Sequence, residues 1–421
     1  MPQPEVHGFS YPSTAHVACP WPVLSQIRNA GSVHRVESGR FLVSHYRDVE
    51  YVLKRDDLFS GRTEERLQPF DWPGPEGVPE ASLGKRTGHV LNVIELDPPI
   101  HQERRSRMFR FLKPARLRTY RPWIEDIVDE LIDGFIDEGR VEFMHEFAYQ
   151  LPTRLIIRIL GLGPDDFDWM HAWGLMEWRG GRKFMTEDEV TKQGDPAEIG
   201  PLVTAAILDR VTEPRDDGLT EMIQAQAADD GAFNLAIVRA DLGQFVRAGI
   251  TTTGHLLSNA MLLLVRHDEL RDLVVHDPAR IRLLIEEVLR LESPLQWVPR
   301  VARRDTELGG VPIPEGSYLI VMLQSANRDE ARWGDDAAAL DPGRRSAVDH
   351  LAFGKGSHFC LGAPLGRLES QVAFTKLFSR MTNIRVAPGT GPTRHQSPTF
   401  RGLTELRLEF DRMPATAPSQ T

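Results

Sequence analysis

The chain has 421 residues, 41% of them hydrophobic and 26% charged, with 34 glycines and 30 prolines. That is an ordinary globular composition rich in turns, neither fibrous nor broadly disordered, and a formal charge of −10 argues against nucleic acid as the main partner, since phosphate binding needs a cationic surface. Two cysteines, Cys19 and Cys360, exclude a disulfide framework or a four-cysteine zinc site within one chain and fit a reducing compartment, so the expected location is the cytoplasm.

In chain order, MPQPEVHGFSYPSTAHVACPWPVL has no basic segment followed by an apolar run, and no signal peptide is expected. No membrane anchor is expected either, because the richest apolar window, 260–265, is far short of the roughly 20 residues a span needs. SVHRVESGRFLVS alternates about Ser38 and Gly39 and predicts a hairpin, followed by a short helix over Arg47 to Lys54. From Gly61 to Leu96 the chain is rich in Gly, Pro and charge without a period, which predicts a lid or a disordered loop. LDPPIHQERRSRMF predicts a helix start with Asp97 as N-cap and prolines in the first turn; His101 and Arg105, four apart, then share a face.

Arg104, Arg105, Arg107, Arg110, Lys113, Arg116 and Arg118 crowd the stretch 103–118, with Glu103 its acid. Such a run is ordinarily a solvated face; in an acidic protein it can also steer an acidic partner. The pattern stays mostly helical to about Leu270, and Leu235 to His267 predicts one helix of about 50 Å. Its middle is weak, holding Gly249 and three successive threonines, with Gly costing about 1 kcal/mol relative to Ala. A threonine there can hydrogen-bond back to a carbonyl and open a local distortion. In IEEVLRLESP, Glu287 and Arg290 sit three apart on one helical face.

After Leu291 strand signals punctuated by Pro and Gly appear, as in GGVPIPEGSYLIVMLQ and LTELRLEF, and the tail MPATAPSQT reads as frayed. The prediction is a single domain over 1–421, mainly α with a small β lobe, with about 20 N-terminal and about 10 C-terminal residues flexible.

The densest signal is FGKGSHFCLG, Phe353 to Gly362. Gly354 and Gly356 permit backbone angles closed to other residues, so the loop can fold tightly about Cys360. The helical period of APLGRLESQVAFTKLFSRM places Cys360 at a helix N-terminus, where unpaired N–H groups favour a thiolate. From these residues alone the thiol can be a buried structural cysteine, a nucleophile or a metal ligand.

All ten positions resemble the haem-binding loop of the cytochrome P450 family. Five near-fixed positions would coincide by chance on the order of once in a million. The resemblance runs strongly from Asp97 to Phe410 and implies a cytochrome P450 fold, one haem b (iron protoporphyrin IX), and Cys360 as the axial ligand of the iron. It further implies that Gly362 lets the flat porphyrin approach, that Phe353 walls the sulfur, and that His101, Arg105, Arg300 and His358 hold the two propionates. Glu287 and Arg290 would dock with an arginine before the loop; F-D-x-x-R spacing favours Arg344, with Leu340 in place of the usual aromatic.

In the long helix AGITT matches the family's A-G-x-acid-T, with Ala248 and Gly249 against the haem and Thr252 as the alcohol. The acid is replaced by Thr251. Proton delivery is then expected through ordered water with Thr251 and Thr252, through a substrate group, or not at all if the enzyme uses peroxide or another haem reaction. His255 is expected to be packed rather than catalytic. Pocket walls are expected from the 61–96 lid, the helix near Trp173 to Trp178, Ala248, Ile250 and Thr252, the segment Leu295 to Val298 with Trp297 and Val298, and the turn near Phe400.

The implied activity is oxidation of a small-to-medium organic substrate with O2 and two electrons from NAD(P)H, through an acidic ferredoxin and its reductase, the enzyme acting as a monomer. A peroxide-using enzyme or a non-catalytic haem-binding sensor is the alternative.

Overall fold

A computed structural model describes residues 6–9, 11, 16–62, 92–175, 196–267, 269–270, 272, 274, 277 and 279–413. Most of the expected lid, the expected helix beyond 175 and the tail from 414 lie outside these residues.

α1 (Trp21–Ala30) and α2 (Tyr46–Lys54) pack on the sheet described below, while α3 (Ile100–Phe109), α4 (Pro114–Phe135), α5 (Gln150–Leu160), α6 (Phe167–Leu175), α7 (Pro196–Thr212), α8 (Gly218–Asp230), α9 (Leu235–Leu264), α10 (Arg280–Leu291) and α11 (Ala363–Arg380) fill the larger lobe. Their core is one cluster that takes in α4 through Ile124, Val128 and Ile132, α5 through Leu151 and Leu155, and α11 through Phe374 and Leu377. α9 runs through this lobe, and 30 residues at 1.5 Å each make it about 45 Å long. Asn234 caps its start, its side chain accepting from the N–H groups of Ala236 and Ile237.

The β lobe is a six-stranded sheet, β1 (Val6–His7), β2 (Val33–Val36), β3 (Phe41–Val43), β4 (Phe59–Ser60), β6 (Val298–Ala302) and β9 (Tyr318–Val321), ordered β1-β2-β3-β9-β6-β4. Short sheets accompany it: β5 (Arg140–Glu142) with β10 (Met381–Val386) and β13 (Arg407–Arg412), β7 (Thr306–Leu308) with β8 (Val311–Ile313), and β11 (Thr393–Arg394) with β12 (Leu403–Glu405). The expected hairpin is β2 and β3, paired antiparallel from Val33↔Val43 to Arg35↔Phe41. β3 then pairs parallel with β9, which joins the N-terminal segment to the second half of the chain. Among residues expected to be flexible, Tyr11 and Val17 are buried.

The start of α3 differs from expectation. The helix begins at Ile100 after both prolines, and the Asp97 carboxylate instead accepts from Ser60 Oγ at 2.6 Å and Gly61 N at 3.1 Å and pairs with Arg303 at 2.6 Å. Asp97 ties β4 to β6 rather than capping a helix. The basic run of α3 and α4 is also less solvated than its composition suggests. Arg104 and Arg107 are buried; Arg104 pairs with Asp241 of α9, and Arg107 with Asp230 of α8 at 2.6 Å. Arg116 pairs with Glu221 at 2.6 Å. An i+3 repeat of arginines turned two of them inward, where acids on α8 and α9 meet them.

Candidate functional site

The loop before α11 is built around one backbone hydrogen bond, Cys360 N to Phe353 O at 2.8 Å. Gly354 (φ 67°) and Gly356 (φ 71°) adopt the left-handed conformation that reverses the chain in between. At Gly356 a Cβ would lie 2.4 Å from the Leu53 carbonyl oxygen, so α2 presses directly on the loop. The result holds Cys360 three residues ahead of the first residue of α11. Cys360 presents surface to an opening, yet protein surrounds the sulfur on its other sides. Burial raises the thiol above its ordinary range, and the N–H groups of Gly362 and Ala363, followed by the charges of Arg105 and Arg367, pull it back. A Cβ built on Gly362 meets only the Cys360 sulfur, at 3.8 Å, and otherwise open space.

Beside that opening the structure gathers His101 and Arg105 from one face of α3, Arg300 from β6, and His358 from the loop. The His101 and His358 rings lie 4.1 Å apart. Burial first, then the charges of Arg300, His101 and Arg105, push His358 down to about 2. Burial and the Arg105 charge likewise hold His101 below the ordinary histidine range. Both rings are therefore neutral at pH 7 and donate through N–H. Two of their nitrogens, His101 Nδ1 and His358 Nε2, are buried without a hydrogen-bond partner among the described residues, an arrangement that costs on the order of 1–3 kcal/mol per group unless something accepts. Donors, positive charge and an open face beside a sulfur fit a flat macrocycle carrying two carboxylates and a metal at its centre.

α9 packs against α11, where a Cβ on Gly366 would lie 3.9 Å from Thr253 Oγ1. From Asp241 to Leu262 every residue is buried except Arg247, Ala248, Gly249 and Thr252. Over about one turn the helix is therefore only partly covered. Thr252 Oγ1 donates to Ala248 O at 2.6 Å, the back-bond that loosens the helix there.

Several expected site residues lie elsewhere. Thr251, expected in the proton relay, is buried and donates to the Gly174 carbonyl of α6 at 2.6 Å, so its hydroxyl proton ties two helices together. Ile250, expected in the pocket, is fully buried where α6 crosses; a Cβ on Gly174 would sit 2.3 Å from its Cδ1. Gly249 was expected to clear space for the macrocycle, but its missing side chain accommodates Ile156 of α5, whose Cδ1 would be 2.6 Å from a Cβ. Trp297 packs in the cluster with Tyr11, Leu24 and Ile27, its indole N–H donating to Pro398 O at 3.1 Å. Phe400 is buried against His255. His255 is itself wholly buried beside Tyr149 and His395, while Val298 stays half-buried at the start of β6. Ile250, Trp297 and Phe400 thus pack their side chains into the core, while Val298 is only partly covered.

Glu287, Arg290 and Arg344 come together. The first two are fully buried, joined by two hydrogen bonds of 2.7 Å, and Arg344 Nε reaches Glu287 Oε1 at 3.2 Å. Arg290 also donates to the carbonyls of Asn327 and Ala337. The knot fixes the chain leading into the cysteine loop. Sequence reading missed a neighbouring knot: Glu286 accepts from Arg367 Nε and Nη2 at 2.6 and 2.7 Å and touches His350 Nε2 at 3.2 Å. The Arg367 guanidinium in turn lies 4.6 Å from the centre of the Phe353 ring. Its signal was present as the first acid of IEEVLR and an arginine seven residues past the cysteine. Glu369, further along α11, was missed too; burial pushes its carboxyl up to about 8.

Comparison with known proteins agrees with this geometry. The family model described as Cytochrome P450 matches residues 281–403. The vitamin D(3) 25-hydroxylase of Pseudonocardia autotrophica is 32% identical over 319 residues, 75% of this chain and 76% of its own. The 6-deoxyerythronolide B hydroxylase of Saccharopolyspora erythraea is 30% identical over 380 residues, 88% of this chain and 90% of its own. Among solved structures, cytochrome P450 CYP109Q5 from Chondromyces apiculatus superposes with a TM-score of 0.80 at 27% identity, covering 97% of this chain and 99% of that one.

Proposed function

Because the chain belongs to the cytochrome P450 family of haem-thiolate monooxygenases, we propose that it hydroxylates or otherwise oxidises a small-to-medium organic substrate with O2 and two electrons from NAD(P)H, delivered through a separate ferredoxin and reductase. The observation that carries this reading is the Cys360 sulfur, open on one face and backed by two N–H groups, set beside two buried histidine nitrogens that have no hydrogen-bond partner among the described residues. Haem b bound there supplies the iron centre at which dioxygen is activated and the substrate oxidised.

The chain's own groups set the conditions. N–H donors from Gly362 and Ala363 favour the thiolate of Cys360 and temper its basicity. Arg105 and Arg300 would neutralise the two haem carboxylates, and the neutral His101 and His358 would orient them through N–H donors. Thr252 donates its proton to Ala248 O, so its oxygen is left to accept a hydrogen bond and hold an ordered water in place. With Thr251 engaged to α6 in the same way, water positioned by Thr252 carries the relay, and the acid usual at position 251 has no substitute in the same helix turn.

That missing acid favours a second reading, a peroxide-driven enzyme, which needs no proton relay fed by a donor protein. Comparing product formation with NADPH, ferredoxin and reductase against product formation with hydrogen peroxide decides between them. Turnover supported only by peroxide would set the monooxygenase cycle aside. For the donor, exposed Lys113 and Arg118 with half-exposed Arg105 and Arg110 form the cationic surface an acidic ferredoxin would meet. Two free cysteines support a reducing cytoplasmic setting, and no helix among the described residues is long and apolar enough to cross a membrane. Action as a monomer is part of the same proposal.

A further inference from the structure

α9 and α11 carry one acid each, Asp241 and Glu369. Asp241 is spent on Arg104. Glu369 is 3% exposed, makes no hydrogen bond among the described residues, and has its Oε2 buried without a partner. An idle carboxyl in the interior is costly, because it has given up its hydration and gained no bond in exchange. Burial pushes it up to about 8, so at pH 7 it keeps its proton. Charged groups on the elements packed around α11 are paired elsewhere: Asp129 and Asp133 of α4 with Lys376 and Arg380, and Glu286 and Glu287 of α10 with Arg367 and Arg290. On β10 Arg385 pairs with Glu409, and on α9 His255 faces Tyr149.

Gly362, Gly366 and Glu369 are four and then three residues apart, which puts them on one face of α11. A Cβ at Gly362 would meet the Cys360 sulfur and otherwise open space, and one at Gly366 would meet Thr253 Oγ1 of α9. Helical side chains lean toward the N-terminus, so Glu369 leans over the turn of Gly366, where the missing side chain leaves the approach to Thr253 clear. Thr253 is buried, and its hydroxyl makes no hydrogen bond among the described residues, whereas Thr251 and Thr252 donate to Gly174 O and Ala248 O. A hydroxyl both accepts and donates, so it can relay a proton. Resting on the haem-thiolate monooxygenase reading above, we propose that Glu369 is the acid that position 251 lacks, feeding protons from α11 through Thr253 to the water held by Thr252. In each transfer the Glu369 O–H bond breaks, the proton passes to a water oxygen, and the carboxylate regains a proton from solvent, so the group is unchanged over a cycle. Glu369 works through Thr253 and water without touching substrate, so its loss slows proton supply and leaves ligand binding alone.

The test follows NADPH consumption by holoenzyme with ferredoxin and reductase in excess, at pH 7 and pH 9. Glu369→Gln keeps the size and removes the exchangeable acid, and should slow consumption at least about tenfold at pH 7. Wild type should slow about tenfold between pH 7 and pH 9, as a group titrating near 8 loses its proton, while the glutamine variant stays within about twofold. Glu369→Asp, which keeps an acid, should retain the pH dependence. Reduction under carbon monoxide needs electrons but no protons, and should match wild type in both variants. Thr253→Val, an isosteric change on the other helix, breaks the same path and should slow consumption similarly even where Glu369→Gln fails to load haem. Wild-type rates in Glu369→Gln or Thr253→Val, or the wild-type fall between pH 7 and pH 9 persisting in Glu369→Gln, overturn the proposal. Wild type that loads haem and shows the thiolate band but consumes no NADPH would instead remove the monooxygenase reading, and the proposal with it.

Discussion

Glu286 links α10 to α11, and replacing it with glutamine gives a prediction with a definite pH dependence. Burial alone would raise its carboxyl, but contact with His350 and the hydrogen bonds and charge of Arg367 overcome that and bring it down to about 2 from an ordinary 4.5. A gap of that size corresponds to about 3 kcal/mol. Burial also lowers His350, leaving it neutral at pH 7, so the charge facing Glu286 comes from Arg367, whose side chain is 25% exposed. Screening there reduces the working value to about 2 kcal/mol.

A depressed carboxylate stabilises the fold fully above its unfolded pKa and loses that contribution as pH falls from about 4.5 toward about 2. Glu286→Gln should therefore be less stable than wild type by about 2 kcal/mol at pH 7, and the difference should shrink by close to 1 kcal/mol at pH 4. Urea unfolding of the haem-loaded proteins, followed by far-ultraviolet circular dichroism at pH 7, 5 and 4, measures it. A variant as stable as wild type at pH 7, or a difference that does not change between pH 7 and 4, would refute the assignment of that charge to a buried Glu286–Arg367 pair.

Other substitutions probe the remaining parts. His101→Phe keeps the ring and removes the donor, so haem should transfer to apomyoglobin at least about tenfold faster, with the helical content unchanged. Arg290→Met removes both of its 2.7 Å hydrogen bonds to the fully buried Glu287, leaving Arg344 as the charge facing it, and should cost about 3 kcal/mol, seen as a lowered urea midpoint and poor haem incorporation. Thr252→Ala should leave NADPH consumption running while product per NADPH falls and hydrogen peroxide rises; undiminished coupling would contradict its place in the relay. Lys113→Glu with Arg118→Glu should slow reduction by an acidic ferredoxin at low salt, with the gap to wild type closing as salt rises.

The cysteine loop was legible because its constraints are local. Glycines at positive φ and a helix start fix the sulfur within ten residues, and FGKGSHFCLG carries all of them. Glu287, Arg290 and Arg344 were legible as well, since a buried charge tolerates few partners and their types and order narrow the choice. The pocket was not. Ile250, Trp297 and Phe400 are apolar residues whose facing depends on which helix or strand packs over them, and α6, the N-terminal cluster and His255 claimed all three. Basic residues misled in the same way: the composition of 103–118 says nothing about the acids on α8 and α9 that draw Arg104 and Arg107 inward. Thr251 shows the limit most clearly, because its sequence position beside Thr252 suggests shared chemistry while its hydroxyl points to Gly174.

The central claim is that the Cys360 sulfur is the ligand of haem iron, and the absorption spectrum of the reduced, carbon-monoxide-bound protein tests it most directly. Wild type should show the strongly red-shifted Soret band of thiolate ligation, and Cys360→Ser should bind haem without that band and without turnover. A red-shifted band that persists in Cys360→Ser, or its absence from haem-loaded wild type, would contradict the account.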